Sequence, residues 1–273
     1  MQVSQLYIYP IKSLGGISIT SAELTDRGFK YDRRWMLIDK KNNFLTQREF
    51  PQMALLQVTL TASGLQVSHK INNQSIYIPF LPETNELVQA TVWSFTGKAQ
   101  VMSSVVNEWF TEMLSIPCRL VYMPDETRRK VNSYYAINKD ITSLSDGYPM
   151  LMIGEASLED LNKRLDDPVP MNRFRPNIVF KGGQPFEEDI MAAFMINGID
   201  FYGVKLCSRC VVTTINQNTA EKNKEPLKTL STYRKKNFNI YFGQNVIHGG
   251  LGTINVGDSI TILKTKRRKI IVK

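Results

Sequence analysis

Histidine is nearly absent from this chain, with two residues in 273, and cysteine is scarce at three. That scarcity excludes most metal sites built by protein alone, because a structural zinc centre needs four ligands, usually as two pairs at similar spacing. Beyond the pair Cys207 and Cys210 stand only Cys118, His69 and His248, scattered and unpaired. An odd number of cysteines without a regular framework also argues against a disulfide scaffold and fits a reducing compartment. No apolar run approaches the roughly 18 residues of a membrane span. The first ten residues lack the basic start and long apolar core of a signal peptide. Internal repeats are missing, and neither a dinucleotide-binding nor a P-loop glycine pattern occurs in the required strand-to-helix setting. What remains is a globular protein, expected in the cytoplasm, long enough for one large domain or two modest ones.

Acid is also in deficit: 34 basic residues face 25 acidic ones, for a net charge of +9. Such an excess suits a phosphate-bearing ligand or an acidic protein partner. Part of it is local, in Lys264, Lys266, Arg267, Arg268, Lys269 and Lys273 and again in Arg128-Arg129-Lys130. Both clusters read as solvated surface. No aromatic-interleaved RNA-binding signature accompanies them, so nucleic acid is not an expected partner.

The most chemically loaded stretch is Leu206-Cys207-Ser208-Arg209-Cys210-Val211-Val212-Thr213-Thr214. It sets two thiols, a hydroxyl and a cation side by side, and the cation favours a thiolate. The β-branched run 211–214 predicts a strand leading away from the thiols, and residues 196–204 predict one strand with a glycine-softened bend. A thioredoxin-like dithiol would open a helix instead, which that β-branched run does not favour. In an unbroken strand, positions 207 and 210 face opposite sides and cannot serve one ligand together. The plain alternative is two buried, inert thiols.

Along the rest of the chain, residues 3–11 predict a strand running into Lys12-Ser13-Leu14-Gly15-Gly16, whose glycines let backbone N–H groups approach an anion. Residues 17–24 predict a second strand, and 55–87 a meander of short ones. Val106, Trp109, Phe110, Met113 and Leu114 recur at helical spacing behind Ser103 and Ser104, either a candidate N-cap. The polar segment 124–144 is the best domain boundary or long loop. Ser157-Leu158-Glu159-Asp160 resembles a capping box, and 226–234 predict one more helix. Residues 252–256 and 259–263 predict a terminal hairpin around Gly257-Asp258. Lys12, Arg33, Arg175 and Arg209 all fall at strand ends or loops beside small or hydroxyl residues, positions that suit an anion site assembled from distant segments.

Five motifs then carry a resemblance: Ile8-Tyr9-Pro10-Ile11-Lys12-Ser13, Asp32-Arg33-Arg34-Trp35, Phe174-Arg175-Pro176-Asn177, Cys207-Ser208-Arg209-Cys210 and Val256-Gly257-Asp258. In this order they resemble the MOSC-domain family, named for the C-terminal domain of molybdenum-cofactor sulfurase. They look most like the branch of the mitochondrial amidoxime-reducing component and its bacterial relatives. The resemblance implies a mixed α/β, β-rich fold: a smaller MOSC N-terminal domain over 1–123, a MOSC-type β-barrel over 124–265, and a basic tail at 266–273.

It also implies a molybdenum cofactor (Mo-molybdopterin), with Cys210 as catalytic metal ligand and Cys207 as a packing residue. Lys12, Ser13, Arg33, Arg175, Ser208 and Arg209 would hold the pterin and its phosphate, with Asp146, Gly147, Asn177 and Asn245 in the same pocket. The implied reaction is reduction of N-hydroxylated compounds, amidoximes and hydroxylamines. Some relatives carry an appended iron–sulfur domain or a membrane anchor; no cysteine follows Cys210 here, so electrons are expected from a separate redox protein and no membrane partner is expected. The alternative is a cofactor carrier or sulfur-transfer protein. The run Ile215-Asn216-Gln217-Asn218-Thr219 departs from the acidic residues of many relatives, which bears on substrate preference.

Overall fold

Strand Gln2–Ile8 alternates as the sequence suggests, burying Val3, Leu6 and Ile8, and it becomes part of the largest sheet. In the computed structural model, residues 1–268 are described; Lys269 and Lys273 of the expected basic tail lie outside them. The expected β-rich fold is present. Its nine-stranded sheet runs Ile17–Ile19, Gln2–Ile8, Ile178–Lys181, Met150–Gly154, Asn239–His248, Ile199–Ser208, Met191–Ile196 and Ile260–Thr265, with Lys235–Lys236 added beside Asn239–His248. The pairing of Met150–Gly154 with Ile178–Lys181 is parallel, and helix Glu155–Asn162 lies in the connection between them.

The start of Ile260–Thr265 reaches back to the start of Gln2–Ile8. Ile260 N donates to Met1 O at 2.9 Å and Gln2 bridges Ser259, closing a barrel around Leu6, Ile178, Phe194, Phe201 and Val246. Closure satisfies backbone groups that an open edge would leave bare. A second layer joins a four-stranded sheet, in the order Trp35–Ile38, Arg119–Tyr122, Phe95–Val101 and Leu87–Val92, to a three-stranded meander over residues 56–79. Helix Ser104–Leu114 covers it with Val106, Phe110 and Leu114, spaced four apart on one face. Ser103 stands at the N-cap without making a side-chain cap bond. No helix among the described residues is long and apolar enough to cross a membrane.

Several local expectations are corrected. Residues 211–214 form a 3-10 turn, not a strand. The Thr213 and Thr214 hydroxyls donate to Cys210 O and Val211 O, at 3.1 and 2.8 Å, and these local bonds outweigh β propensity. Residues 196–204 are not one bent strand, because Asn197-Gly198 turns the chain with φ of 48° and 73° into a hairpin. The strand expected over 17–24 is split into Ile17–Ile19 and Ser21–Thr25.

Ser157 caps nothing. The helix begins at Glu155 after Gly154, and the buried Ser157 hydroxyl donates to Glu188 Oε2 at 2.8 Å. The expected terminal hairpin does not pair with itself: Gly252–Asn255 joins Ser21–Thr25 while Ile260–Thr265 joins Met191–Ile196. Arg129 is buried, donating to Ser143 O and Ser145 O, so its cluster is only partly solvated. Gly15 and Gly16 serve close packing, since a Cβ on Gly16 would strike the Tyr9 ring and one on Gly15 the Gln57 side chain.

Candidate functional site

Register along Ile199–Ser208 decides where the thiols point. Ile199, Phe201 and Gly203 face inward, opposite Asn239–His248. Gly203 pairs Val246 while Lys205 pairs Asn245, so Val204 is an extra residue that shifts the strand's phase. Past it Leu206 takes the buried position and Cys207 is left half-buried. The strand stops at Ser208, and Cys210 enters the 3-10 turn in extended conformation.

The two thiols have separate cations. Arg209 Nη1 donates to Cys207 Sγ at 3.0 Å, and Arg48 Nε donates to Cys210 Sγ at 3.3 Å. Burial pushes the Cys207 thiol up, with Arg209 pulling it back. Cys207 also packs against the cluster of Leu151, Phe174 and Phe242.

Both thiols line a cavity of about 360 Å³. Around it the fold gathers Lys12, Ser13, Arg33, Asp146, Gly147, Arg175, Asn177, Ser208, Arg209, Cys210 and Asn245, every site residue expected from sequence. Six cations, Lys12, Arg33, Arg48, Arg175, Lys205 and Arg209, face a single lining carboxylate, Asp146. Ser13, Arg33, Arg175 and Trp93 all hold left-handed φ, at 69°, 49°, 55° and 56°. Non-glycine residues in that region cost on the order of 1–3 kcal/mol each and persist only where surroundings force them.

A buried network does the forcing for Arg33. Its Nη1 donates to both oxygens of Asp32, at 2.8 and 2.7 Å, and to Asn177 Oδ1 at 3.0 Å. Asn177 Nδ2 in turn donates to Asp32 Oδ1 and Tyr7 O. Asn177 thereby locks Arg33 across the barrel. Arg33 and Arg175 each place the guanidinium carbon 4.3 Å from the Tyr9 ring centroid.

Lys12 Nζ donates to Asp146 Oδ1 at 2.7 Å. Burial pushes the Lys12 ammonium down to about 8 while Asp146 pulls it up. Burial works to raise the Asp146 carboxyl, but Lys12, Arg48 and Arg33 outweigh it and hold the group well below the usual carboxylate range. Other donors are left over. Arg175 O accepts from Arg33 Nη2, but the Arg175 guanidinium makes no hydrogen bond or ion pair among the described residues, and Arg209 Nε is buried without an acceptor. Burial lowers Arg175 only to about 10, so it stays charged at neutral pH. Buried or half-buried donors without acceptors are costly unless a ligand supplies them.

Sequence reasoning missed Arg48 and Trp93. A reciprocal amide pair brings Arg48 here: Gln217 Nε2 donates to Gln47 Oε1 at 3.0 Å, and Gln47 Nε2 donates to Ser13 O at 2.6 Å. Trp93 Nε1 donates to Asp146 Oδ1 at 3.2 Å, and Arg48 lies 4.2 Å over its ring. Neither residue carried a sequence signal beyond its type. Ser208 and Asn245 are engaged locally, with Asn239 Oδ1 and Lys205 O.

Two family descriptions match the chain: MOSC N-terminal beta barrel domain over residues 1–117 and MOSC domain over 139–261. The chain belongs to the MOSC family. It is 34% identical to mitochondrial amidoxime-reducing component 1 of Mus musculus, covering 96% of this chain and 82% of that protein. Against the Homo sapiens protein of the same name the identity is 33%, with the same coverages. It is 30% identical to molybdenum cofactor sulfurase of Oryza sativa subsp. japonica over 89% of this chain but 32% of that longer protein. Both MOSC matches contribute to the cavity, Lys12, Arg33, Arg48 and Trp93 from the first and Asp146, Arg175, Arg209 and Cys210 from the second.

Proposed function

We propose that this MOSC-family chain is a molybdenum-cofactor-dependent reductase of N-hydroxylated compounds, amidoximes and hydroxylamines. The observation that carries the reading is a half-buried thiol, Cys210, hydrogen-bonded by Arg48 in a cavity whose lining cations outnumber its carboxylates six to one. No group of three metal-ligating side chains occurs among the described residues. A metal at Cys210 therefore has to bring most of its own ligands, as the dithiolene sulfurs of molybdopterin do, and thiolate suits that soft set. Arg175 and the spare Arg209 Nε are donors of the kind a phosphate and a pterin edge require. The donor set fits the group.

When bound, the cofactor supplies the two-electron chemistry that removes oxygen from the N–OH group. Cys210 Sγ would hold the metal, and the Arg48 N–H would fix the position of that sulfur. Lys12, Ser13, Arg33 and Arg175 would grip the phosphate and pterin, with Tyr9 as a fixed floor beneath both guanidinium groups. Asn177 acts through Arg33, and Asp146 through Lys12. The substrate is a small molecule, a separate redox protein supplies electrons, and the setting is cytoplasmic.

Reduction of benzamidoxime by reduced methyl viologen tests the proposal, using protein made in a host that builds the cofactor. Turnover in the wild type and none in Cys210→Ser is expected. Molybdenum-loaded protein with no turnover would instead favour the carrier or sulfur-transfer alternative.

A further inference from the structure

Trp93 occupies a position that its own size disfavours. Strands Leu87–Val92 and Phe95–Val101 pair with Val92 opposite Phe95, which leaves Trp93 and Ser94 as a two-residue loop. Such loops call for left-handed φ and are usually filled by asparagine or glycine. Trp93 meets the requirement with φ of 56°. The penalty is only partly recovered by burial, because the residue remains 40% exposed. Strain kept at an exposed aromatic beside a reactive group points to a use.

The ring is also aimed with care. Its Nε1 donates to Asp146 Oδ1 at 3.2 Å, Phe44 leans on it at 4.9 Å, and the Arg48 guanidinium lies over it at 4.2 Å. Arg48 is itself hydrogen-bonded to Cys210 Sγ. An aromatic surface thus stands one side chain away from the sulfur that carries the proposed chemistry. Aromatic surfaces stack planar conjugated groups and gain little from flexible aliphatic ones.

We infer that Trp93, steadied by Arg48, forms a substrate subsite selecting aryl N-hydroxylated compounds over aliphatic ones. This rests on the reductase reading and adds the substrate class to it. A ring stacked on Trp93 directs its N–OH group toward Arg48 and Cys210.

The test is Trp93→Asn and Trp93→Phe in cofactor-loaded protein, assayed with benzamidoxime and acetamidoxime. In Trp93→Asn the kcat/KM ratio of aryl to alkyl substrate falls at least fivefold, chiefly through KM for benzamidoxime. Trp93→Phe keeps the ratio within twofold. The thermal midpoint of Trp93→Asn is equal or higher, since asparagine suits the turn, and its molybdenum content matches the wild type.

A lower midpoint with an unchanged ratio would make Trp93 a structural tip and overturn the inference. Loss of molybdenum would put the ring against the cofactor and overturn it too. Independently of turnover, benzamidoxime should shift the Trp93 indole N–H resonance, one of three in the chain, while acetamidoxime leaves it in place. No shift contradicts the subsite. Wild type that reduces neither compound refutes the reductase reading, and the resonance titration then still decides the subsite.

Discussion

Arg234 and Arg175 are arginines of one barrel domain with opposite surroundings. Arg234 Nη2 donates to both oxygens of Asp189, at 3.0 and 2.8 Å, with both side chains fully buried. Arg175 lies over Tyr9 in a left-handed backbone conformation and pairs with no carboxylate among the described residues. An enclosed cation that comes with its carboxylate completes a core; one without an acceptor is poised for an anion from outside. Arginine count alone does not separate the two uses. The partner inventory does.

The largest effect should come from breaking the finished pair. Asp189→Ala strands a buried guanidinium and is expected to cost about 3–5 kcal/mol in denaturant unfolding. A loss under about 1 kcal/mol would mean that Arg234 is not dependent on it.

Glu188, beside that pair, sharpens the contrast through pH. Burial first, then the Asp189 charge, pushes its carboxyl up to about 7. A group with a raised native pKa favours the fold fully below its unfolded value, near 4.5, and loses that contribution as pH rises to about 7. The wild type should therefore lose on the order of 3 kcal/mol across that window. Glu188→Gln should flatten the decline; an unchanged pH–stability curve would contradict the assignment.

On the cavity side, Arg175→Ala should move stability by less than about 1 kcal/mol, while cofactor retention falls roughly 10- to 100-fold, the worth of a charge-assisted hydrogen bond. A stability loss as large as that of Asp189→Ala would erase the distinction between the regions. Smallest of all, exposed Arg128→Ala should stay within about 0.5 kcal/mol in the same unfolding experiment.

Much of this was legible in the chain. Alternating apolar residues marked single strands such as 3–11, the MOSC resemblance implied the β-rich class, and cations at strand ends beside small residues marked the cavity wall. The barrel's closure was not, because Met1 to Ile260 is a contact across nearly the whole chain. That contact also explains why 252–256 and 259–263 find other partners instead of each other. Thr213 and Thr214 misled in the opposite way, with hydroxyl bonds to the local backbone overriding a β-branched run. Arg48 reaches Cys210 only because Gln47 and Gln217 clasp segments 170 residues apart. No local pattern encodes that.

Molybdenum content tests the central claim most directly, measured per chain in wild type, Cys207→Ser and Cys210→Ser proteins from one cofactor-competent host. Wild type and Cys207→Ser should hold similar amounts, and Cys210→Ser should hold almost none. Equal loss in both variants, or full retention in Cys210→Ser, would contradict the assignment of the metal to the Cys210 sulfur.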